Sequence, residues 1–333
     1  MWLLVGDLHL TDQDRDKYRF EIFDWIKRQQ VKYPVAATYL AGDLTDSKNR
    51  HSADLVNKVV DGLRKLKPPV YICCGNHDYH AADNPFFRFL NHIDGIVFVH
   101  RPQRIERGAS MAIIPHYRNQ AEFTAAVNGI GNADSFLVHQ TFQGAIAETG
   151  AVLTGLSASP IELLKPRLGV YAGDVHRPQR QGIVTYIGCP YHVRFGDGFT
   201  PRCLFVDESG KRKNLYLDAP YKWSLTISEC GDILLDERLR ESDQVKLTVE
   251  LPREEAVEWK RIKSEILTAC KEKQLEVYGC KLEVKASKLK KQVVSKPNDS
   301  PFDNFCKVED LPDGLRTTGA SIMGRLQNGI RRS

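Results

Sequence analysis

No stretch of this 333-residue chain is continuously apolar over the roughly 18 residues that a membrane-spanning helix requires, so no membrane partner is expected. No Gly-x-x-x-x-Gly-Lys-Ser/Thr phosphate loop occurs, so any dependence on ATP has to come from another protein. The eight cysteines show no paired framework: Cys73 and Cys74 are adjacent on an apolar run and the others are scattered, as expected of reduced thiols in a cytoplasmic protein. The first residues, Met1 to His9, lack the basic start of a secretion signal and run straight into a strand. There is no internal repeat. Charge is nearly balanced, with 47 basic and 42 acidic residues for a net +5, which permits a polyanionic partner without demanding one.

What is present is a large apolar fraction, 42%, enough to build a sizeable core without disulfide staples. The length suits one large and one small domain. Apolar periodicity predicts a helix over 14–33 and another from the Ser52 cap to Leu66, with strands at 35–40 and 70–74. Alternating strands and helices imply a mostly parallel sheet with right-handed crossovers. Further on, a helix is expected over 84–93, strands at 110–114 and 136–138 with a helix at 119–127 between them, and a buried strand over 168–172. After residue 176 the pattern becomes hairpin-like (183–187, 203–207, 214–217, 223–227), which predicts a second sheet closing a sandwich. From residue 244 a strand, a helix over 253–273 and another strand form a small βαβ lobe. The expected division is therefore 1–240, 244–286, and a linker with a terminal segment over 287–333.

Several apolar strands end in the same way. Leu3-Leu4-Val5 runs into Gly6-Asp7-Leu8-His9, Leu40-Ala41 into Gly42-Asp43, Val70-Tyr71-Ile72 into Gly75-Asn76-His77-Asp78, and Val170-Tyr171-Ala172 into Gly173-Asp174-Val175-His176; Phe136-Leu137-Val138 ends at His139. In open α/β sheets ligands bind at the carboxyl ends of the strands. A Gly-Asp at a strand end is by itself usually a turn, and a lone histidine usually a satisfied loop residue. Together, Asp7, His9, Asp43, Asn76, His77, His139, Asp174 and His176 form a thiolate-free set of oxygen and imidazole donors. That chemistry suits Mn²⁺, Mg²⁺ or Fe. Asp43, placed between Asp-x-His pairs, is positioned to bridge two ions about 3.5–4 Å apart, the arrangement used for in-line displacement at phosphorus.

These motifs resemble those of the calcineurin-like metallophosphoesterases. Three details are similar to the SbcD-type nuclease subunit of double-strand-break repair and phage recombination complexes: Gly42-Asp43-Leu44-Thr45-Asp46, His139-Gln140, and Gly173-Asp174-Val175-His176-Arg177-Pro178-Gln179 followed by Tyr186-Ile187-Gly188-Cys189-Pro190. The resemblance implies an α/β sandwich of two β-sheets flanked by helices, a small α+β capping domain and a C-terminal tail. It implies one ion on Asp7, His9, Asp43 and His176, and a second on Asp43, Asn76, His139 and Asp174. Asp174 stands where the family usually has histidine. By resemblance His77 is the catalytic histidine, with Asp78 orienting it or capping a turn. Asp46 falls where some relatives carry a phosphate-orienting histidine, and His80, Arg177 and Arg194 are candidate substrate contacts.

The resulting expectation is a Mn²⁺-dependent DNA exonuclease, with endonuclease activity also open. Its lobe from residue 244 would cap DNA, and its terminal segment would dock on an SbcC-type coiled-coil ATPase. A homodimer in the cytoplasm is expected, a host's cytoplasm if the chain is phage-encoded. Two other readings stand beside it: a stand-alone phosphoesterase for nucleotides or phosphoproteins, and a DNA-end-binding scaffold whose site is weakened at Asp174.

Overall fold

The computed structural model describes residues 1–48, 50–81, 84–157 and 160–285, with only the backbone of 80, 81, 160 and 161. The expected linker and docking segment, 287–333, lies outside the described residues. Two compact units are distinguished, one comprising Met1–Val249 with Arg261–Lys281, the other including Glu250–Lys260. In the second, Lys285 pairs with Glu250 at 3.3 Å.

The first unit is built on two six-stranded sheets. One runs in the order Arg212–Leu215, Cys203–Val206, Trp2–Val5, Ala37–Leu40, Val70–Cys73, Ile96–Val99. Its four N-terminal strands are parallel and the two later ones antiparallel. The second runs Gln179–Gln181, Val184–Tyr186, Gly169–Gly173, Ser135–His139, Ala109–Ile114, Gln103–Arg107. The hairpin strands expected to close the second sheet are thus divided: Val184–Tyr186 joins it, while Cys203–Val206 and Arg212–Leu215 extend the first. The reason is register. Cys203–Val206 carries apolar side chains on both faces and pairs antiparallel beside Trp2–Val5, the buried strand with a free neighbouring edge. Lys222–Ile227 instead pairs in parallel with Gln244–Leu251, so the sheet of the small lobe takes in a strand from before residue 244.

Strands buried on both faces must be apolar at every position, and Trp2-Leu3-Leu4-Val5 obeys that rule. With side chains alternating, Leu3 and Val5 pack toward the helices Glu21–Lys32 and Ala53–Arg64, in a core with Ile22, Phe23, Ile26, Leu55, Val59 and Leu63. Trp2 and Leu4 pack the other way, against Met111, Ile113, Leu137 and Tyr171 of the second sheet. The far face of that sheet meets Phe123 and Val127 of the helix Gln120–Ile130. The helix Ala53–Arg64 starts at the expected cap, the Ser52 hydroxyl accepting from Leu55 N at 3.1 Å; Asn119, expected within its helix, caps it by accepting from Glu122 N at 2.9 Å.

Three expected helices are not continuous α-helix; that over 253–273 is 3₁₀ over Glu255–Glu258 and α-helical over Trp259–Glu272. The segment 14–33 begins as a 3₁₀ turn, Asp14–Phe20, before the α-helix Glu21–Lys32, and the 84–93 segment is 3₁₀ over Phe86–His92. All seven described cysteines are free. Among the described residues no helix is long and apolar enough to cross a membrane.

Candidate metal centre

Strands Trp2–Val5, Ala37–Leu40 and Val70–Cys73 of the first sheet, and Ser135–His139 and Gly169–Gly173 of the second, bring their carboxyl ends to one place. The loops there are compressed. A Cβ added to Gly75 would lie 2.1 Å from an Asp43 carboxylate oxygen, and one added to Gly173 would lie 2.5 Å from an Asp7 carboxylate oxygen. The glycines at these two strand ends are therefore required by close approach. Three of the expected ligands, His9, Asp43 and Asp174, have φ of 42°, 48° and 75°, the left-handed region that side chains other than glycine rarely adopt. Such conformations cost free energy and persist where surrounding structure enforces them, commonly at functional sites.

Around Asp43 the donors fall into two groups. On one side, His9 Nε2 lies 3.6 Å from Asp43 Oδ2 and 3.0 Å from His176 Nε2. Asp7 and His176 offer ligand atoms within 4.8 Å of each other and of the thiol of Cys189. On the other side, His139 Nε2 lies 3.5 Å from Asp43 Oδ1 and 3.7 Å from Asp174 Oδ1. The Asp7 carboxylate spans both groups: Oδ1 lies 3.7 Å from His139 Nδ1, and Oδ2 accepts from the Asp174 backbone N–H at 2.9 Å. Asp7, His9, Asp43 and His139 are buried.

Several neighbours orient these groups. His139 Nδ1 donates to the Ala41 carbonyl at 2.7 Å, which leaves Nε2 facing Asp43 and Asp174. The Asp46 carboxylate lies 3.3 Å from His9 Nδ1, so Asp46 backs a ligand candidate in addition to bordering open space. The Thr141 hydroxyl donates to Asp174 Oδ2 at 2.7 Å. His77 is half-buried: its backbone N–H donates to Asp43 Oδ1 at 2.8 Å, its Nδ1 donates to the Asp46 carbonyl at 2.6 Å, and its ring sits edge-on to His9 with centroids 4.9 Å apart.

Asp78, expected to orient His77 or cap a turn, does the latter. Its buried carboxylate accepts from the backbone N–H groups of Gly75, Asp43 and Leu44 at 2.8, 2.9 and 3.0 Å. It therefore ties the second strand-end loop to the third. Of the expected substrate contacts, Arg194 is exposed with Nη1 3.9 Å from Glu148, and Arg177 is half-buried. The side chain of His80 lies outside the described residues. Cys189, Thr141 and Gln140 (whose Oε1 accepts from Tyr117 N at 3.2 Å) enter the surroundings of the site unannounced by the ligand pattern. For Cys189 the available signal was its position in Tyr186-Ile187-Gly188-Cys189-Pro190, directly after the last ligand motif.

The electrostatics describe a pocket overfilled with like charge. Burial, with Asp43 and Asp174 nearby, pushes the Asp7 carboxyl up to about 7. Burial also raises the Asp78 carboxyl to about 7, with Asp43 adding to it. Burial would raise Asp43 as well, but the imidazoles of His139, His9 and His77 outweigh it and hold that carboxyl well below the usual range. In return Asp43, Asp7 and Asp174 lift His139 well above an ordinary histidine despite its burial. Burial, reinforced by His9, drives His176 down to about 3.

The donor set fits divalent cations. Asp7 Oδ1, Asn76 Oδ1, His139 Nε2 and His176 Nδ1 are all buried with no hydrogen-bond partner. Buried polar atoms are seldom left so, because each costs its desolvation free energy, about 1–3 kcal/mol. Oxygen and imidazole donors around a shared carboxylate are what hard to borderline cations take.

Comparison with known families returns a match over residues 2–141 to the family described as calcineurin-like phosphoesterase. That span holds Asp7, His9, Asp43, Asn76, His77 and His139, and ends before Asp174 and His176. Among curated proteins none matches. The two multi-strand sheets flanked by helices are consistent with the calcineurin-like fold, and the match to that family points to metal-dependent phosphoester hydrolysis.

Proposed function

We propose that this chain is a divalent-metal-dependent DNA nuclease, Mn²⁺ being the preferred ion, that works as the SbcD-type subunit of a DNA end-processing complex. The observation that carries the hydrolytic part is the Asp43 carboxylate set between two imidazole groups, with His9 at 3.6 Å on one oxygen and His139 at 3.5 Å on the other. Asp7, His9, Asp43 and His176 would hold one ion, and Asp43, Asn76, His139 and Asp174 the second. When bound, the ions lower the pKa of water and neutralise phosphate oxygens, the two demands of in-line displacement at phosphorus.

The chain's own residues supply the rest. His77 stands beside this cluster but uses Nδ1 on the Asp46 carbonyl, which leaves Nε2 for substrate. With Nδ1 held on that carbonyl, Nε2 is the ring nitrogen placed to meet the departing sugar oxygen. Thr141 fixes Asp174 facing His139, an arrangement that suits a working ligand more than a decayed one and so weighs against the scaffold reading. The partners proposed with this reading are DNA, a second copy of the chain and a coiled-coil ATPase.

The test is degradation of end-labelled linear duplex by the purified chain with Mn²⁺, beside a small chromogenic phosphodiester. The expected result is loss of the duplex, slowed about 10²–10⁴-fold in His77→Ala, the range for removing a general acid. Duplex left intact while the small ester is cleaved would support the stand-alone phosphoesterase instead. Equal degradation by His77→Ala would show that the cleavage comes from elsewhere.

A further inference from the structure

Next to the metal centre lies a pocket of about 380 Å³ bordered by Thr11, Arg15, Asp46, Arg194, Phe195 and Lys246, with Asp16, Arg19 and Lys222 as its floor. It shares a wall with the centre. Asp46 borders the pocket while its carboxylate lies 3.3 Å from His9 Nδ1, and Arg19 Nη1 donates to the His9 carbonyl at 2.5 Å.

The charge in this pocket is opposite to that of the centre. Five basic side chains face two carboxylates. In the floor, Asp16 takes Arg19 Nη2 at 3.1 Å and the Lys222 ammonium, so one buried carboxylate serves two buried cations. The Nε of Arg19 is buried without a hydrogen-bond partner, and that of Arg15 has only the Asp16 carboxylate, 3.9 Å away. A buried guanidinium N–H left over in this way is an unfilled demand for an acceptor. Above the floor sits Phe195, a half-buried ring. The exposed Lys246 ammonium lies 4.5 Å from its centroid and that of Lys222 lies 5.7 Å away. Lys246 lies over the ring, so a base would stack by displacing its ammonium toward a phosphate; stacking rings combined with cations are how single-stranded nucleic acid is held without reading sequence.

We propose that this pocket is a nucleotide subsite, in which Phe195 stacks the base next to the scissile phosphate and Arg15, Arg194 and Lys246 take the neighbouring phosphate. The assignment rests on the nuclease reading above and gives it a substrate form: a strand unpaired near the point of cleavage. A pocket that seats an unstacked base next to the cations favours a frayed or single-stranded end over the interior of a duplex.

The test is fluorescence anisotropy of a short labelled single strand on the full chain, with Ca²⁺ replacing Mn²⁺ so that binding is read without turnover. Phe195→Ala and Lys246→Glu are each expected to weaken binding about tenfold, within the range for losing one stacked base. Phe195→Trp is expected to retain it, and Lys246→Ala to flatten the salt dependence by about 0.7 in log–log slope, one phosphate contact on a single strand. Thermal unfolding of each variant separates lost binding from lost fold, and Phe195→Leu with Lys246→Ala supplies milder replacements. Wild-type affinity in both folded variants, or no binding by the wild type, overturns the subsite. If the anisotropy losses stand while Mn²⁺ produces no DNA degradation, the subsite survives and the nuclease reading falls.

Discussion

Two buried polar clusters lie on either side of the His9 backbone, and they fail to satisfy themselves in opposite senses. The centre around Asp43 has three aspartates packed among imidazoles, with carboxylate, amide and ring nitrogen atoms left over. The cluster around Asp16 has two buried cations on one carboxylate, with guanidinium N–H groups left over. The first wants positive charge from outside and the second wants negative charge. A phosphodiester accompanied by divalent cations provides both at once, which is why the pair is more informative than either cluster alone.

The contrast can be broken most severely at its shared carboxylate. Asp43→Asn is expected to lower Mn²⁺-dependent phosphodiester hydrolysis on the order of 10⁴-fold, since metal charge stabilisation contributes several kcal/mol. Metal-free stability should fall only modestly, because the lost pairing with His139 and His9 is partly offset by relief of the crowding with Asp7; activity assays and denaturant unfolding in chelator read the two arms. A large loss of metal-free stability would mean that Asp43 serves the fold and not an ion.

The same isosteric change in the other cluster should do the reverse. Asp16→Asn strands Arg19 and Lys222 in the interior and is expected to cost about 3–5 kcal/mol in urea unfolding, as when one partner of a buried pair is removed. Stability equal to wild type would dissolve the distinction drawn between the clusters.

The smallest effect concerns pH. Burial, helped by Arg19, lowers the Lys222 ammonium to about 8, below the ordinary lysine value of 10.5. With its folded pKa depressed, the folded chain gives up this proton before the unfolded chain does. The burial penalty is therefore fully present below pH 8 and is relieved as pH rises from about 8 to about 10.5. Relative to Lys222→Met, the wild type should gain on the order of 1 kcal/mol across that window in paired unfolding curves. A constant difference would show that Asp16 keeps the lysine charged throughout.

The strand ends were legible in the sequence because their signal is local. Apolar runs of four residues followed by Gly-Asp or Gly-Asn-His fix both the strand and the place where it stops, and the crowding at Gly75 and Gly173 shows why glycine stands there. Legibility ended where pairing became distant. Nothing near Cys203–Val206 states that its neighbour is Trp2–Val5, about 200 positions away, and so the later hairpins were assigned to the wrong sheet. Asp78 was legible only as a choice: adjacent to His77 in sequence, it could orient that ring or cap a turn, and it turns inward to three backbone amides because a fully buried carboxylate needs donors. Asp16 and Lys222 meet across 206 positions, and neither carries a motif that announces the other.

The division of the centre between two sheets also orders events during synthesis. Asp7, His9 and Asp43 leave the ribosome early, but His139 and His176 follow only after roughly a hundred further residues, many seconds later at cellular translation speeds. Until then the nascent chain holds an acidic half-cradle with nothing across from it. If the centre takes cations as proposed, they can be acquired only late, and a truncated product stopping short of His176 would lack part of the donor set.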